Sequence, residues 1–291
     1  MLTKMSVVTF LLLTAIFASA ADFQFSEASG RVLMQQVYDT HQQYPYVYEE
    51  QSLVLIDRDG NRKIRKVKLY SRIDPILFQR FLLLFESPEE VKGVAVLAER
   101  NANGDTRQAI YLPALGESMI ESSGDLSDTN FLGTDFSIEN LTGERLEDYD
   151  YQRRRDELIN YKMYSVIDVF DKQAEPSQTA LRRHYISQEI LYLTRTDYFD
   201  DLGRVSKRLS SHDMTRVLGD MWRANMLLME NMQNDHKTLI KIDRRIFSKE
   251  YVPVEVFTAE HLYSNSRVEG LIDYDLLDDA AEVKLSGETE E

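Results

Sequence analysis

Ile76-Leu77-Phe78-Gln79-Arg80-Phe81-Leu82-Leu83-Leu84-Phe85 is apolar on both faces of any strand it forms. Alternation sets Phe81, Leu83 and Phe85 on one side, and Phe78, Leu82 and Leu84 on the other. A sheet holding such a strand must cover both faces. It can pack helices on one of them, or curl around an apolar hollow. The flanking sequence has the same character. Short runs of Val, Ile, Leu, Phe and Tyr recur at Leu53–Ile56, Ile64–Tyr70, Val94–Ala98 and Ala109–Leu112. Turns at Asp57–Asn61, Asn101–Asp105 and Asp200–Gly203 separate such runs. With Met163–Phe170, Leu181–Ile186, Leu191–Tyr198, Val205–Leu209 and Thr238–Ile242, roughly ten strands form a meander long enough to curl.

Ahead of the strands, Ser26 to about Gln43 reads as a helix, with Ser26 as N-cap and Pro45 as terminator. Gly116–Thr142 is the main irregular insertion, and Met214–Asn231 fits either helix or strand. At the front, Lys4, the apolar run Val7–Phe17 and Ala18-Ser19-Ala20 form a secretory signal over residues 1–20, cleaved before Ala21. Residues 21–268 are expected to be one domain. Residues 269–291 hold nine acids and one lysine and are expected to be a solvated acidic tail.

Composition narrows the function. The 291 residues include 34 Lys+Arg, 49 Asp+Glu and no cysteine, for a net charge of −15. That balance argues against nucleic acid as a partner. The absence of cysteine excludes disulfide scaffolds, thiol nucleophiles and Cys-based zinc sites. The five histidines, His41, His184, His212, His236 and His261, show no metal-ligand spacing. Ser210, Ser211, His212 and Asp213 adjoin one another, but neighbours on a strand point to opposite faces, which argues against a triad. No nucleophile elbow, Walker loop or dinucleotide fingerprint occurs. No catalytic residue, metal or cofactor is expected.

Four motifs then occur in order: R-F-L-L-L-F-E-S-P-E-E-V-K-G-V-A-V-L from Arg80, Y-L-P-A-L at Tyr111–Leu115, F-L-G-T-D-F-S-I-E-N-L at Phe131–Leu141, and D-Y-D-Y at Asp148–Tyr151. Together they resemble the outer membrane lipoprotein-sorting protein family, related to LolA/LolB-like periplasmic carriers. The family usually places basic residues after Y-L-P-A-L, where this chain has Gly116-Glu117-Ser118. The resemblance implies an α+β fold: a strongly curved antiparallel sheet forming a half-open β-barrel, with helices on its concave face. It also implies a periplasmic, non-enzymatic carrier in a Gram-negative bacterium, with a lipid or lipoprotein cargo and an RND/MMPL-type inner-membrane exporter as partner. A monomer is expected.

On that reading the candidate lipid-cavity residues are Phe81, Leu83, Phe85, Val94, Val96, Tyr111, Leu112, Met119, Trp222 and Met226. The candidate lid is Phe131–Leu141, chiefly Phe131, Leu132, Gly133 and Phe136, with Gly133 as pivot. In an alternative reading of that segment, Asp135 and Ser137 cap a short helix. Two rival functions are an exporter adaptor without its own cargo and a cofactor-free enzyme. The enzyme would have to draw Arg80, Asp135, Tyr111 and His184 together.

Overall fold

The computed structural model describes residues 26–74, 78–101, 103, 105–113, 119–123, 130–172, 179–258, 260–262 and 282–283. The expected signal and most of the expected acidic tail lie outside the described residues. Helix α1 spans Ser26–His41, close to its expected bounds. Six strands follow: β1 (Tyr46–Ile56), β2 (Arg62–Asp74), β3 (Phe78–Ser87), β4 (Ala95–Arg100), β5 (Thr106–Tyr111) and β6 (Met119–Ser123). A short helix α2 (Ile138–Thr142) precedes β7 (Tyr149–Arg153), β8 (Glu157–Ile159), β9 (Lys162–Asp171) and β10 (Arg182–Ser187). Then come β11 (Tyr192–Phe199), β12 (Val205–Leu218), β13 (Met221–Asn231) and β14 (His236–Ile246). A 3-10 turn at Val254–Phe257 and the two-residue strand β15 (Glu282–Val283) complete the described elements. Met214–Asn231 is therefore strand on either side of a turn at Gly219-Asp220.

All pairings are antiparallel, in the order β6-β5-β4-β3-β2-β1-β14-β13-β12-β11-β10-β9-β7, with β8 beside β9 and β15 beside β14. This topology has a consequence. The first meander runs outward from β1 to one edge at β6, and the second runs inward from the other edge at β7 to β14. The two meet where β1 pairs with β14, while β6 and β7 do not pair. The barrel stays half-open, as the resemblance implied. The link from β6 to β7 must pass from one edge of the sheet to the other, across its open side.

Phe81, Leu83 and Phe85 of β3 join Leu53, Leu55, Val67, Val96, Ile240 and Ile242 on one face, which we call inner. Leu82 and Leu84 of β3 face outward, where Tyr251, Val252, Val256 and Phe257 of the C-terminal segment cover them together with Tyr48, Tyr70 and Leu97. Both apolar faces of the decisive strand are thus buried. A third cluster joins Met34 and Val37 of α1 to Leu146, Tyr151, Ile167, Val169 and Ile186. This puts α1 on the inner side of β7, β9 and β10.

The helix lies very close to β7: a Cβ built on Gly30 would stand 2.3 Å from the Tyr151 carbonyl oxygen. Helix propensity alone favours Ala over Gly by about 1 kcal/mol. Overpacking against a fixed strand costs roughly 1–3 kcal/mol. Gly30→Ala is therefore expected to destabilise the protein, lowering its urea midpoint. A raised midpoint would show that α1 lifts freely off β7.

Candidate functional site

The segment 130–148 crosses the inner face and has an apolar half and a charged half. In the first half, Asn130 bridges Ser137 and the Phe131 amide donates to the Phe136 carbonyl at 3.3 Å, pinching off a tight loop. Its tip is left-handed at Leu132 (φ 48°) and Gly133 (φ 73°). That conformation suits glycine and strains leucine. The pinch aims Phe131, Phe136 and Ile138 at the sheet, where each is at most 2% exposed. They pack into the inner cluster with Phe81, Leu83 and Phe85.

Polar contacts fasten this loop. The Arg65 guanidinium donates to the Leu132 carbonyl at 2.5 Å and lies 5.8 Å from the centre of the Phe85 ring; burial lowers its pKa. Asp135 is buried among β13 and β14. Its amide donates to the Thr238 hydroxyl at 3.0 Å, and that hydroxyl donates to its carboxylate at 2.8 Å. His236 and Asn231 reach the same carboxylate at 2.6 and 3.3 Å. Lys207 reaches the Asn130 side chain at 3.1 Å.

The second half begins where Ser137 caps α2 in a capping box with Asn140. Asn140 also donates to the Tyr198 hydroxyl at 2.9 Å. Beyond it, two carboxylates face one buried arginine. Arg182 of β10 lies 2.7 Å from Glu139 and 2.9 Å from Glu144, with its guanidinium 4.3 Å from the centre of the Tyr149 ring. Tyr149 donates to Glu139 at 2.7 Å and Tyr151 to Glu144 at 3.0 Å. His184 lies 3.1 Å from Glu144. Burial would raise the Glu144 carboxyl, but the charges of His184 and Arg182 and the hydrogen bonds from His184 and Tyr151 hold it at about 2. Burial would lower Arg182, but Glu144 and Glu139 carry it well above its ordinary value. From the other end of the sheet, Arg100 of β4 donates to the Thr142 hydroxyl and the Gly143 carbonyl, each at 2.8 Å. The segment therefore ties β4 to β10 across the opening.

The sequence candidates fall into distinct places. Phe81, Leu83, Phe85, Val94 and Val96 gather beneath Phe131 and Phe136, with Leu112 and Leu132 at the margin. Tyr111 goes to the outer cluster with Leu97 and Ala109. Met119 lies on β6 opposite Tyr111, and its side chain is outside the described residues. On β13, Trp222 and Met226 alternate with Leu227 and Met229, and it is Leu227 and Met229 that join the inner cluster. Gly133 stands at the loop tip, with nothing within 4 Å of a Cβ built on it. Ser137 caps α2 as the alternative reading held, whereas Asp135 anchors the loop to β13 and β14. The residues missed by sequence reasoning are Arg65, Arg100, Glu139, Glu144 and Arg182, none of which stands out from the charged and polar residues around it.

The four residues of the enzyme reading do not converge. Arg80 pairs with Asp74 and Glu99, Asp135 with β13 and β14, Tyr111 packs on the outer face, and His184 meets Glu144 and Thr196. Ser210 and His212 do hydrogen-bond at 2.9 Å, but Asp213 turns to Asn225 instead. Among the described residues no group of three or more His, Asp or Glu side chains is arranged to hold a metal. Nor is any helix among them long and apolar enough to cross a membrane.

A family model described as "-like: Uncharacterized protein" matches residues 78–264. No curated protein matches the chain. Among solved structures, a domain from Vibrio parahaemolyticus described as an outer membrane lipoprotein-sorting protein superposes with a TM-score of 0.73 at 20% identity, covering 81% of this chain and 99% of that one. A DUF1329 family protein from Desulfovibrio piger gives 0.70 at 20% identity, with 80% and 99% covered. A LolA superfamily protein from Nitrosomonas europaea gives 0.60 at 14% identity, with 80% and 98% covered. At these identities the likeness is one of fold.

Glu144 makes that fold sensitive to acid. Its folded pKa lies below the ordinary 4.5, at about 2, so its stabilisation is full above pH 4.5 and is lost as pH falls toward 2. A shift of that size corresponds to about 3 kcal/mol. Urea unfolding across this acid range should show a steep loss of stability in the wild type and a shallower one in Glu144→Gln. Parallel pH profiles would refute the assignment.

Proposed function

The chain belongs to the family matched over residues 78–264, and from its shared fold we propose that it is a periplasmic carrier for the acyl chain of a lipid or lipoprotein. The fold shared with a LolA superfamily protein and a lipoprotein-sorting domain supports this reading. One observation carries it. Among the described residues, the inner apolar face around Phe81, Leu83 and Phe85 is covered by the loop Phe131–Ser137 and the first residue of α2 rather than by a layer of helices. Phe131 and Phe136 lie where a hydrocarbon chain would lie, and Leu132-Gly133 is the tip of the lid that carries them. The domain is 21–268, exported by the signal at 1–20 and free of catalytic residues. Its cargo passes to or from an RND/MMPL-type exporter.

Magnitudes favour exchange between lid and cargo. Burying an apolar side chain is worth about 2 kcal/mol, so Phe131 and Phe136 together are worth roughly 4 kcal/mol. A chain of roughly sixteen carbons is worth about 12 kcal/mol at about 0.8 kcal/mol per methylene. The polar anchors on Asp135 and Leu132 add to the lid's side of the balance. An acyl chain then displaces the loop at moderate cost, and the loop helps to expel the chain on delivery.

Because the native chain has no cysteine, a cysteine pair is a clean probe. In the double variant Asp135→Cys and Thr238→Cys, oxidation should abolish uptake of a fluorescent fatty acid and reduction should restore it. Equal uptake in both states would rule out this loop as the lid. Leu83→Trp should weaken uptake at least tenfold by filling the face beneath the loop. Mass spectrometry of organic extracts of the purified protein should find a bound lipid.

A further inference from the structure

The side of the sheet facing away from the lid carries a second surface. Tyr251, Val252, Val256, Phe257 and Leu262 cover its Tyr48, Tyr70 and Leu82 end. At the other end, the register sets Ile64, Val54, Leu239 and Leu228 directly opposite one another across β2, β1, β14 and β13. Ile64 is 57% exposed and the other three are half-buried. These four aliphatic side chains therefore form a row on the surface of the sheet.

Cations border this row on both sides. Two residues further along each strand, and so on the same face, Lys66 and Lys241 stand opposite Ser52. Two residues the other way, Arg62 and Lys237 stand opposite Ile56. The lysine side chains are 47–60% exposed. The acids among them are outnumbered. Asp243 is shared between Lys66 at 2.9 Å and Lys241 at 3.4 Å. Glu230 meets Lys237 at 2.8 Å and faces Arg208 across the strand pair.

We infer that this is a membrane-docking face, which lays its aliphatic row into the interface of a bilayer and sets its cations against anionic phospholipid headgroups. The chemistry favours a lipid surface over a protein partner. Protein interfaces favour aromatic residues and are depleted in lysine, whereas this face is aliphatic and lysine-rich. Lysine stems can lie along an apolar surface while their ammonium groups stay in water. In a chain of net charge −15, one basic face also fixes orientation, because the remaining surface is repelled by the same headgroups.

Sedimentation with phosphatidylcholine vesicles, with and without phosphatidylglycerol, tests this. The protein should bind only the vesicles containing phosphatidylglycerol, and less as salt rises. Each basic residue near an anionic surface is worth about 1 kcal/mol, so Lys66→Gln with Lys241→Gln should weaken binding roughly 30-fold. Ile64→Gln should weaken it several-fold. Both variants should keep the wild-type Tm and fatty-acid uptake. Binding that ignores phosphatidylglycerol, no binding at all, or an unaffected double lysine variant would overturn the inference. Vesicle binding without fatty-acid uptake would sink only the carrier reading.

Discussion

The pairing of β1 with β14 governs the rest of the molecule. It joins the starts and ends of two meanders and so sends β6 and β7 to opposite edges. With the edges apart, the chain between them has to cross the mouth of the curved sheet. A crossing segment is thus a requirement of the connectivity. What the sequence of 130–148 decides is how tightly that crossing is fastened.

The fastening uses two kinds of physics. The apolar half rests on burial, which is non-directional and can be exchanged for any hydrocarbon of similar size. The charged half rests on Arg182 between Glu139 and Glu144, whose desolvated charges tolerate no other partner. The two halves therefore differ in replaceability. Phe131 and Phe136 can leave if a ligand takes their place, whereas residues 139–148 are bound to β10 by groups that cannot be left unpaired. On the proposed carrier reading, motion is confined to the loop, and α2 is its fixed base.

Much of the fold was legible in the sequence because local rules suffice for it. Asp57, Asn101 and Asp200 each mark a turn, and in each the side-chain oxygen accepts amides two and four residues on. The two-faced strand at Phe78–Phe85 announced its double burial by alternation alone. Met214–Asn231 fits either period, because its methionines satisfy both, and only the pairing of β12 with β13 and of β13 with β14 selects the strand. The charged half of the site was not legible. Arg100, Glu144 and Arg182 look like ordinary polar positions, and their meaning comes from contacts 42 and 40 residues apart in the chain, such as Arg100 with Thr142 and His184 with Glu144. Tyr111 and Trp222 were grouped with the inner face on apolar character, which does not report the side of the pleat.

The junction between the first and last long strands also bears on how the molecule is made. Arg245 hydrogen-bonds Glu49 across a separation of 196 residues. A ribosome delivers the amino-terminal meander long before its mate exists, so one flank of β1 waits with unsatisfied amides and carbonyls. Such late, distant closure slows acquisition of the native state, and a waiting strand flank invites intermolecular pairing. The order of synthesis therefore leaves that flank of β1 uncovered until β14 exists to pair with it.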